Sequence, residues 1–288
     1  MANVFGYFKK KARLTLVLGA TGKTGRRIVS RLEKKGVRMR LGSRSADPAF
    51  SWDDETNWPD VLRDVKVVYL NYAPDLAVPG AVPSVQRFTV QAKRAGVERV
   101  VLLSGRGEEE AQTCEKIVQQ SGMGWTIVRA SWFNQNFSES AFLDMVMAGQ
   151  ITLPAGEVPE PYIDVDDIAD VIVAALTEAR HVGEVYEVTG PRLMSMEDVA
   201  SDLSSALGRQ VTYVPISHEA FITGFEQSGA PEGMVWLMDY LFKTVLDGRN
   251  AHLCDGVQRA LGRKPRDFAD FAKATAQTGV WSREKEDA

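Results

Sequence analysis

The sequence predicts an α/β protein: a doubly wound parallel sheet carrying a smaller C-terminal lobe that is α/β but mostly helical. Three observations predict it. Short apolar runs alternate with longer amphipathic stretches through the first half of the chain. A glycine-rich turn, Gly19–Gly25, joins the first of those runs to the first of those stretches. Beyond about residue 132 the pattern becomes mostly helical and rich in aromatic and methionine residues.

The first run, Leu14–Leu18, is continuously apolar, as a strand buried on both faces must be. A helical pattern follows from Thr24 to Lys35 and stops at Gly36. Further strands are predicted at Val37–Gly42, Val65–Tyr72, Arg99–Ser104 and Trp125–Ala130, with helical stretches between several of them. Right-handed crossovers make the doubly wound sheet the expected topology. In the second half Ile168, Val171, Ile172, Ala175 and Leu176 mark one buried helix face, with Asp166 or Asp167 expected to cap it. Val185–Val188 and Val211–Pro215 read as strands, and Ser195-x-x-Asp198 has capping-box spacing for a helix ending before Gly208. From His218 onward the pattern is helical, with Met234, Trp236, Met238, Tyr240 and Phe242 at helical spacing.

The 288 residues carry 44% hydrophobic and 25% charged side chains and a net charge of −4, which argues against nucleic acid or an anionic membrane as general partners. Two cysteines, Cys114 and Cys254, make no disulfide framework, so a cytoplasmic location is expected. The start of the chain has lysines but no apolar stretch behind them long enough for a signal peptide or span. Monomer and homodimer both remain open.

Gly19-Ala-Thr-Gly-Lys-Thr-Gly25 lies between a strand and a helix. Missing side chains there let a backbone approach a pyrophosphate, which the helix N-terminus attracts with free N–H groups and its dipole. The reading is therefore a Rossmann-type dinucleotide site. About twenty residues on, where an acid would favour NAD, stand Ser43 and Arg44. Arginine pairs with a 2′-phosphate, so NADP(H) is the expected cofactor, with Lys23 and Arg26 adding charge nearby. The expected cofactor set is Gly19, Thr21, Gly22, Lys23, Thr24, Gly25, Ser43, Arg44, Asn71, Ala73 and Ser104. Residues 1–12 are expected to form a loose tail, 13–131 the NADP(H)-binding core, and 132–288 a substrate lobe of which about 160–190 returns to the core.

These residues, with Arg99-Val-Val-Leu-Leu-Ser-Gly, Ser121-Gly-Met-Gly-Trp-Thr-Ile-Val-Arg, Trp132-Phe-Asn-Gln-Asn-Phe and Tyr162-Ile-Asp-Val-Asp-Asp-Ile-Ala, resemble the NmrA-like, atypical short-chain dehydrogenase/reductase family over most of the chain. Phe50-Ser-Trp-Asp-Asp-Glu-Thr-Asn-Trp and Leu261-Gly-Arg-Lys-Pro-Arg-Asp-Phe are similar to the ergot-alkaloid type, the festuclavine synthase and agroclavine dehydrogenase group. That resemblance implies a flavin-free NADPH reductase acting on an iminium-like electrophile.

Short-chain dehydrogenases supply a proton from Tyr-x-x-x-Lys, helped by a strand-end serine. Ser104 holds the strand-end position, but Gly105–Gly124 contains no tyrosine and, as its one lysine, Lys116. Isoflavone-reductase-like relatives use a lysine where Ala111 stands here. An iminium or quinone accepts hydride without a protein acid, so holding nicotinamide and acceptor together would suffice. Should a donor be required, Tyr72 and Tyr162 are candidates beside Ser104, though each also reads as a packing residue. Asn71-Tyr72-Ala73-Pro74 is either a wall beside the cofactor or a plain strand-to-loop turn. Trp132, Phe133, Asn136 and Phe137 are either substrate-pocket residues or a core cluster.

His181, His218 and His252 lack metal-ligand spacing, so no metal is expected. Cys114 beside Glu115 reads as structural, Glu108-Glu-Glu as a helix start complementing the dipole, and Asp164, Asp166 and Asp167 as caps or lobe contacts. The leading expectation is an NADPH-dependent oxidoreductase for a small hydrophobic electrophile, an iminium, quinone or similar. The alternatives are a non-catalytic NADP(H)-binding redox sensor or regulator of the NmrA type, and a cofactor-independent isomerase or cyclase on the same fold.

Overall fold

A computed structural model describes residues 13–140 and 142–282. The predicted tail, 1–12, lies outside the described residues. Five of the six strands of the main sheet come from the first half of the chain: β1 (Leu14–Leu18), β2 (Met39–Gly42), β3 (Val65–Leu70), β4 (Arg99–Gly105) and β5 (Gly124–Ala130). The helices between them are α1 (Lys23–Lys34), α2 (Trp58–Leu62), α3 (Ala81–Arg94) and α4 (Glu109–Gln119).

The second half begins with a short 3-10 turn, Asn134–Phe137, and continues through α5 (Leu143–Ala148), β6 (Gln150–Ile151) and α6 (Val165–Thr177). β7 (Glu184–Val188), α7 (Met196–Leu207) and β8 (Thr212–Tyr213) follow. Four helices complete the chain: α8 (His218–Gln227), α9 (Glu232–Tyr240), α10 (Gly256–Leu261) and α11 (Phe268–Gln277). β7 returns to the main sheet, giving the order β2-β1-β3-β4-β5-β7 with every pair parallel. The chain reverses direction across the sheet between β1 and β3, and the crevice above their C-terminal ends is where such sheets bind ligands.

Burial on both faces explains the unbroken apolar strands. One face packs under α1, α6 and α10, with Val17, Tyr69, Val101 and Val128 meeting Ile28, Ile168 and Ile172. The other packs under α2, α3 and α4, with Leu16, Val68 and Leu102 meeting Trp58, Phe88 and Val118. A third cluster, with Phe137, Tyr162, Met196, Phe242 and Phe268, forms the core of the C-terminal lobe. β6 and β8 pair with each other in that lobe, so the predicted strand at 211–215 is only two residues long and stands apart from the main sheet.

Polar residues set the joints. Asp164, rather than Asp166 or Asp167, caps α6 by accepting from the Asp166 N–H at 2.7 Å. The two other acids pair with cations: half-buried Asp166 binds Arg31 at 2.7 Å, and fully buried Asp167 binds Arg263 at 2.7 Å and also Arg266. Arg99 at the start of β4 donates to the carbonyls of Ala175 and Glu178, satisfying the C-terminal end of α6 with a cation. The Ser195–Asp198 capping box is present as the spacing predicts.

The turn between β1 and α1 is tightly packed. A Cβ at Gly25 would lie 2.0 Å from the Gly19 carbonyl oxygen, and the neighbour is backbone. Alanine would gain about 1 kcal/mol of helix propensity there, but the clash costs about 3 kcal/mol. Gly25→Ala is therefore expected to lose about 2 kcal/mol net in urea unfolding. An unchanged midpoint would mean that the turn relaxes freely.

Candidate functional site

A cavity of about 480 Å³ opens above the C-terminal ends of β1, β3, β4 and β5. Its floor at one end is the start of α1: Gly22, Lys23 and Thr24. Gly22 caps that helix without any side-chain hydrogen bond, which leaves first-turn N–H groups for an anion. Thr24 Oγ1 and the Tyr69 hydroxyl share a 2.9 Å hydrogen bond that ties the helix start to the neighbouring strand. Gly19 turns with φ of +63°, and a Cβ there would sit 2.7 Å from Asn71 Nδ2. The loop therefore presents bare backbone on the side where a pyrophosphate lies in dinucleotide folds.

Beyond β2, Ser43 is half-buried and Arg44 exposed. Ser43 Oγ lies 3.3 Å from Ser45 Oγ. Among the described residues the Arg44 side chain has neither a hydrogen-bond nor an ion-pair partner, so its guanidinium is available to a phosphate. Lys23 and Arg26 are committed differently. Lys23 donates to Asn136 Oδ1 at 3.0 Å, and burial pulls its pKa below the usual lysine range against the opposing pull of Glu139. Arg26 and Arg27 both pair with Glu139, Arg27 at 2.7 Å. The segment after β5 is thereby clamped over the start of α1. These residues fit a dinucleotide: a glycine turn, an uncapped helix end and an uncommitted arginine, each at the expected edge of the sheet.

The cavity also gathers Asn71, Tyr72, Ala73, Ser104, Trp132, Phe133 and Asn136 from the predicted set. Gly19, Thr21, Gly25, Ser43 and Arg44 lie outside its lining. Two expectations are corrected. Phe137 is fully buried in the lobe core, packed among Phe142, Tyr162 and Phe268, and does not itself line the cavity, standing behind Phe142. Tyr162 packs in the same cluster, where burial drives its pKa far up, and it is likewise absent from the wall. Ser104 does line the cavity, but its hydroxyl donates to Glu115 Oε1 at 2.6 Å. Tyr72 keeps its place on the wall, its ring tilted against Trp52 at 4.7 Å, with burial raising its pKa and a Ser84 hydrogen bond tempering the rise.

Sequence reasoning left the roof open, with core, pocket lid and dimer face all compatible with the stripe near 234–242, and missed one wall. Phe225 of α8, Met234, Leu237 and Met238 of α9, and Leu241 and Val245 of the π-type turn beyond it close the cavity from above. Helical spacing identified this stripe but could not say what it covers. The missed wall holds Asp75 and Glu108. Glu108 does precede α4, yet its side chain caps nothing: it is 5% exposed and folded back over Gly105, where a Cβ would strike its carboxyl at 2.1 Å.

Arg106 is the hub beneath that wall. It reaches Glu187 at 2.8 Å, Ser131 Oγ at 2.9 Å, the Asn250 carbonyl at 3.1 Å and His252 Nε2 at 3.0 Å. Glu187, His252 and Cys254 lie within 4.8 Å of one another, a spacing a metal could use. Arg106 contacts all three, so the cation at this point is the guanidinium. Glu115, Arg129 and Glu187 continue the chain of alternating charge through contacts of 2.5 and 3.2 Å. Cys114 is buried, and burial together with Glu115 pushes its thiol up to about 12, which suits a structural residue.

Glu160 is fully buried with both carboxyl oxygens unpartnered, and burial raises its pKa to about 7 despite Arg106. The folded state thus holds a proton that the unfolded chain releases nearer 4.5. Its stability is complete below the lower value and falls as pH rises to the upper one. Glu160→Gln should abolish that loss, worth up to about 3 kcal/mol. The gap between urea midpoints at pH 4.5 and pH 8 should therefore narrow in the variant; equal pH dependence in both proteins would refute it.

The family model for NAD(P)H-binding proteins matches residues 19–179, and the NmrA-like family model matches residues 109–272. An uncharacterized oxidoreductase of Bacillus subtilis, YesF, is 33% identical over 93% of this chain and 97% of its own. An NAD(P)H azoreductase of Xenophilus azovorans is 32% identical over 91% and 98%. Agroclavine dehydrogenase of Claviceps fusiformis is 30% identical over 92% and 98%. Among solved structures, an NADPH-dependent quinone oxidoreductase of Escherichia coli in complex with NADPH superposes with a TM-score of 0.77 at 21% identity, covering 91% of this chain and 99% of that one. Triphenylmethane reductase of Citrobacter sp., complexed with NADP(H), gives 0.73 at 17%, again covering 91% and 99%. Among the described residues no helix is long and apolar enough to cross a membrane.

Proposed function

This chain belongs to the NmrA-like family of NAD(P)H-binding proteins, and from that premise we propose that it is an NADPH-dependent reductase of a small, hydrophobic electrophile. One observation carries the reading: a single cavity joins the uncapped start of α1 to an aromatic and methionine-lined chamber. NADPH, when bound, supplies the hydride.

The residues divide the work by position. The first-turn N–H groups of α1 and the Gly19–Gly25 backbone would hold the pyrophosphate. Arg44, uncommitted and exposed beyond β2, would pair with the 2′-phosphate, with Ser43 adding a hydrogen bond. Asn71 and Ala73 would flank the cofactor as the strand end turns away. Trp132, Phe133 and the α8–α9 roof would hold a flat apolar acceptor and exclude water from it. The names of the relatives, which include an azoreductase and a clavine dehydrogenase, agree with acceptors of that kind.

Purified protein incubated with NADPH and a panel of iminium ions, quinones and azo dyes should oxidise the cofactor in step with acceptor loss. Tight cofactor binding without turnover across the panel would favour the sensor role instead. Arg44→Ala should weaken NADPH binding by about 10- to 100-fold, a loss of one charge-assisted phosphate contact, while leaving NADH within about twofold. Equal loss for both dinucleotides would remove Arg44 from the 2′-phosphate.

A further inference from the structure

The wall formed by Asp75 and Glu108 is not among the residues assigned above to the dinucleotide, and its chemistry is unusual for an apolar chamber. Asp75 lies in the loop after β3 and Glu108 at the entrance to α4, yet both line the cavity, close enough for the charge of Asp75 to raise the pKa of Glu108. Two buried carboxyl groups that feel each other's charge titrate as a pair, and the second to ionise keeps its proton to higher pH. The protein's donors decide where the proton resides. Asp75 accepts from the Ala77 N–H at 2.8 Å, which stabilises its charge. Glu108 Oε2 is buried and accepts from no donor.

We propose that the Asp75–Glu108 pair is the proton donor of the reduction: Glu108 holds the pair's proton at the cavity wall and releases it to the substrate atom made basic by hydride transfer. The inference rests on the reductase reading and names the acceptors it would add, neutral ones such as azo compounds, beside cations that need no proton. In the step, one nitrogen of N=N would receive the hydride that bound NADPH supplies on its oxidation to NADP. The other nitrogen gains the electron pair of the broken π bond. It takes the Glu108 proton as the O–H bond breaks, leaving that bonding pair on the carboxylate. Water then returns a proton to the pair. Asp75 is a positioning residue that keeps the proton on Glu108.

The surroundings favour a retained proton near neutral pH. Burial raises Glu108 well above the ordinary range, followed by the charge of Asp75 and the charges of Glu110 and Glu115. Cys114 and Tyr240 face the same acidic group, and Tyr240 donates to Glu110 at 2.9 Å. The nearby cations are engaged elsewhere: Arg106 with Glu187, Arg129 with Glu115 and Glu187, and Arg249 with Asp247.

The test compares an azo dye with a triarylmethane cation, using wild type, Glu108→Gln and Asp75→Asn, with NADPH binding measured for each. Glu108→Gln should lower kcat on the azo dye by about 100-fold, remove its fall at alkaline pH and its solvent isotope effect, and leave the cation within about threefold. Asp75→Asn should move the alkaline limb towards lower pH, because a like charge beside Glu108 is gone. If Glu108→Gln does not fold, as loss of NADPH binding would show, the limb in Asp75→Asn decides alone. Unchanged azo turnover in Glu108→Gln, or an unshifted limb in Asp75→Asn, would overturn the inference while leaving the reductase reading intact. So would a raised KM confined to the cation, since that marks a cation-binding wall. No turnover of either dye or of the wider acceptor panel by wild type would overturn both.

Discussion

Everything functional in this molecule hangs from the approach of Gly25 to the Gly19 carbonyl. That contact leaves no room for a single methyl group. It sets how closely the first helix follows the first strand, and so how far the helix N-terminus projects into the crevice. From there the consequences are mechanical. Lys23, Arg26 and Arg27 emerge on that first turn and take hold of Asn136 and Glu139, which brings the segment after β5 down over the cofactor end. The same segment carries Trp132 and Phe133 into the chamber wall. A steric limit at one peptide is thus transmitted, through three cations, to the place where a substrate would lie.

A second set of interactions ties the far side. The alternating charges of Glu115, Arg129, Glu187 and Arg106 run across β4, β5 and β7 and end on the loop that carries Asn250 and His252. Each guanidinium has carboxylates on either side or carbonyls around it, so buried charge is compensated throughout. Ser104, on the cavity wall, joins this network through the hydrogen bond that its hydroxyl donates to Glu115. The site therefore has one edge held by cations on helix α1 and another held by arginines beneath the sheet.

The sheet was legible in the sequence because its strands are buried on both faces, and burial of that kind demands an unbroken apolar run such as Leu14–Leu18. The nucleotide loop was legible for the same kind of reason: glycine spacing reflects a local steric demand. What stayed hidden depended on distant partners. Asp164, not Asp166, caps α6, because the choice of capping residue rests on where the preceding bridge between Phe133 and Ile163 leaves the chain. Phe137 and Tyr162 carry aromatic rings close to strand ends, yet packing with Phe268, more than a hundred residues on, draws both into the lobe core. Glu108 resembled any acid at a helix start. Only the empty space over Gly105, and Asp75 arriving from another loop, turn it inward.

The roof of the chamber is contributed by α8, α9 and the turn after them, late in the chain, whereas the first turn of α1 is contributed near its beginning. The two sets of residues share a cavity but no secondary-structure element. An exchange at Phe225, Met234 or Met238 can therefore reshape the chamber without disturbing the steric limit at Gly25. On the proposed reading the protein is modular where it would meet its substrate and constrained where it would meet its cofactor. A lineage can explore new acceptors by drift in two helices while its source of reducing power stays the same.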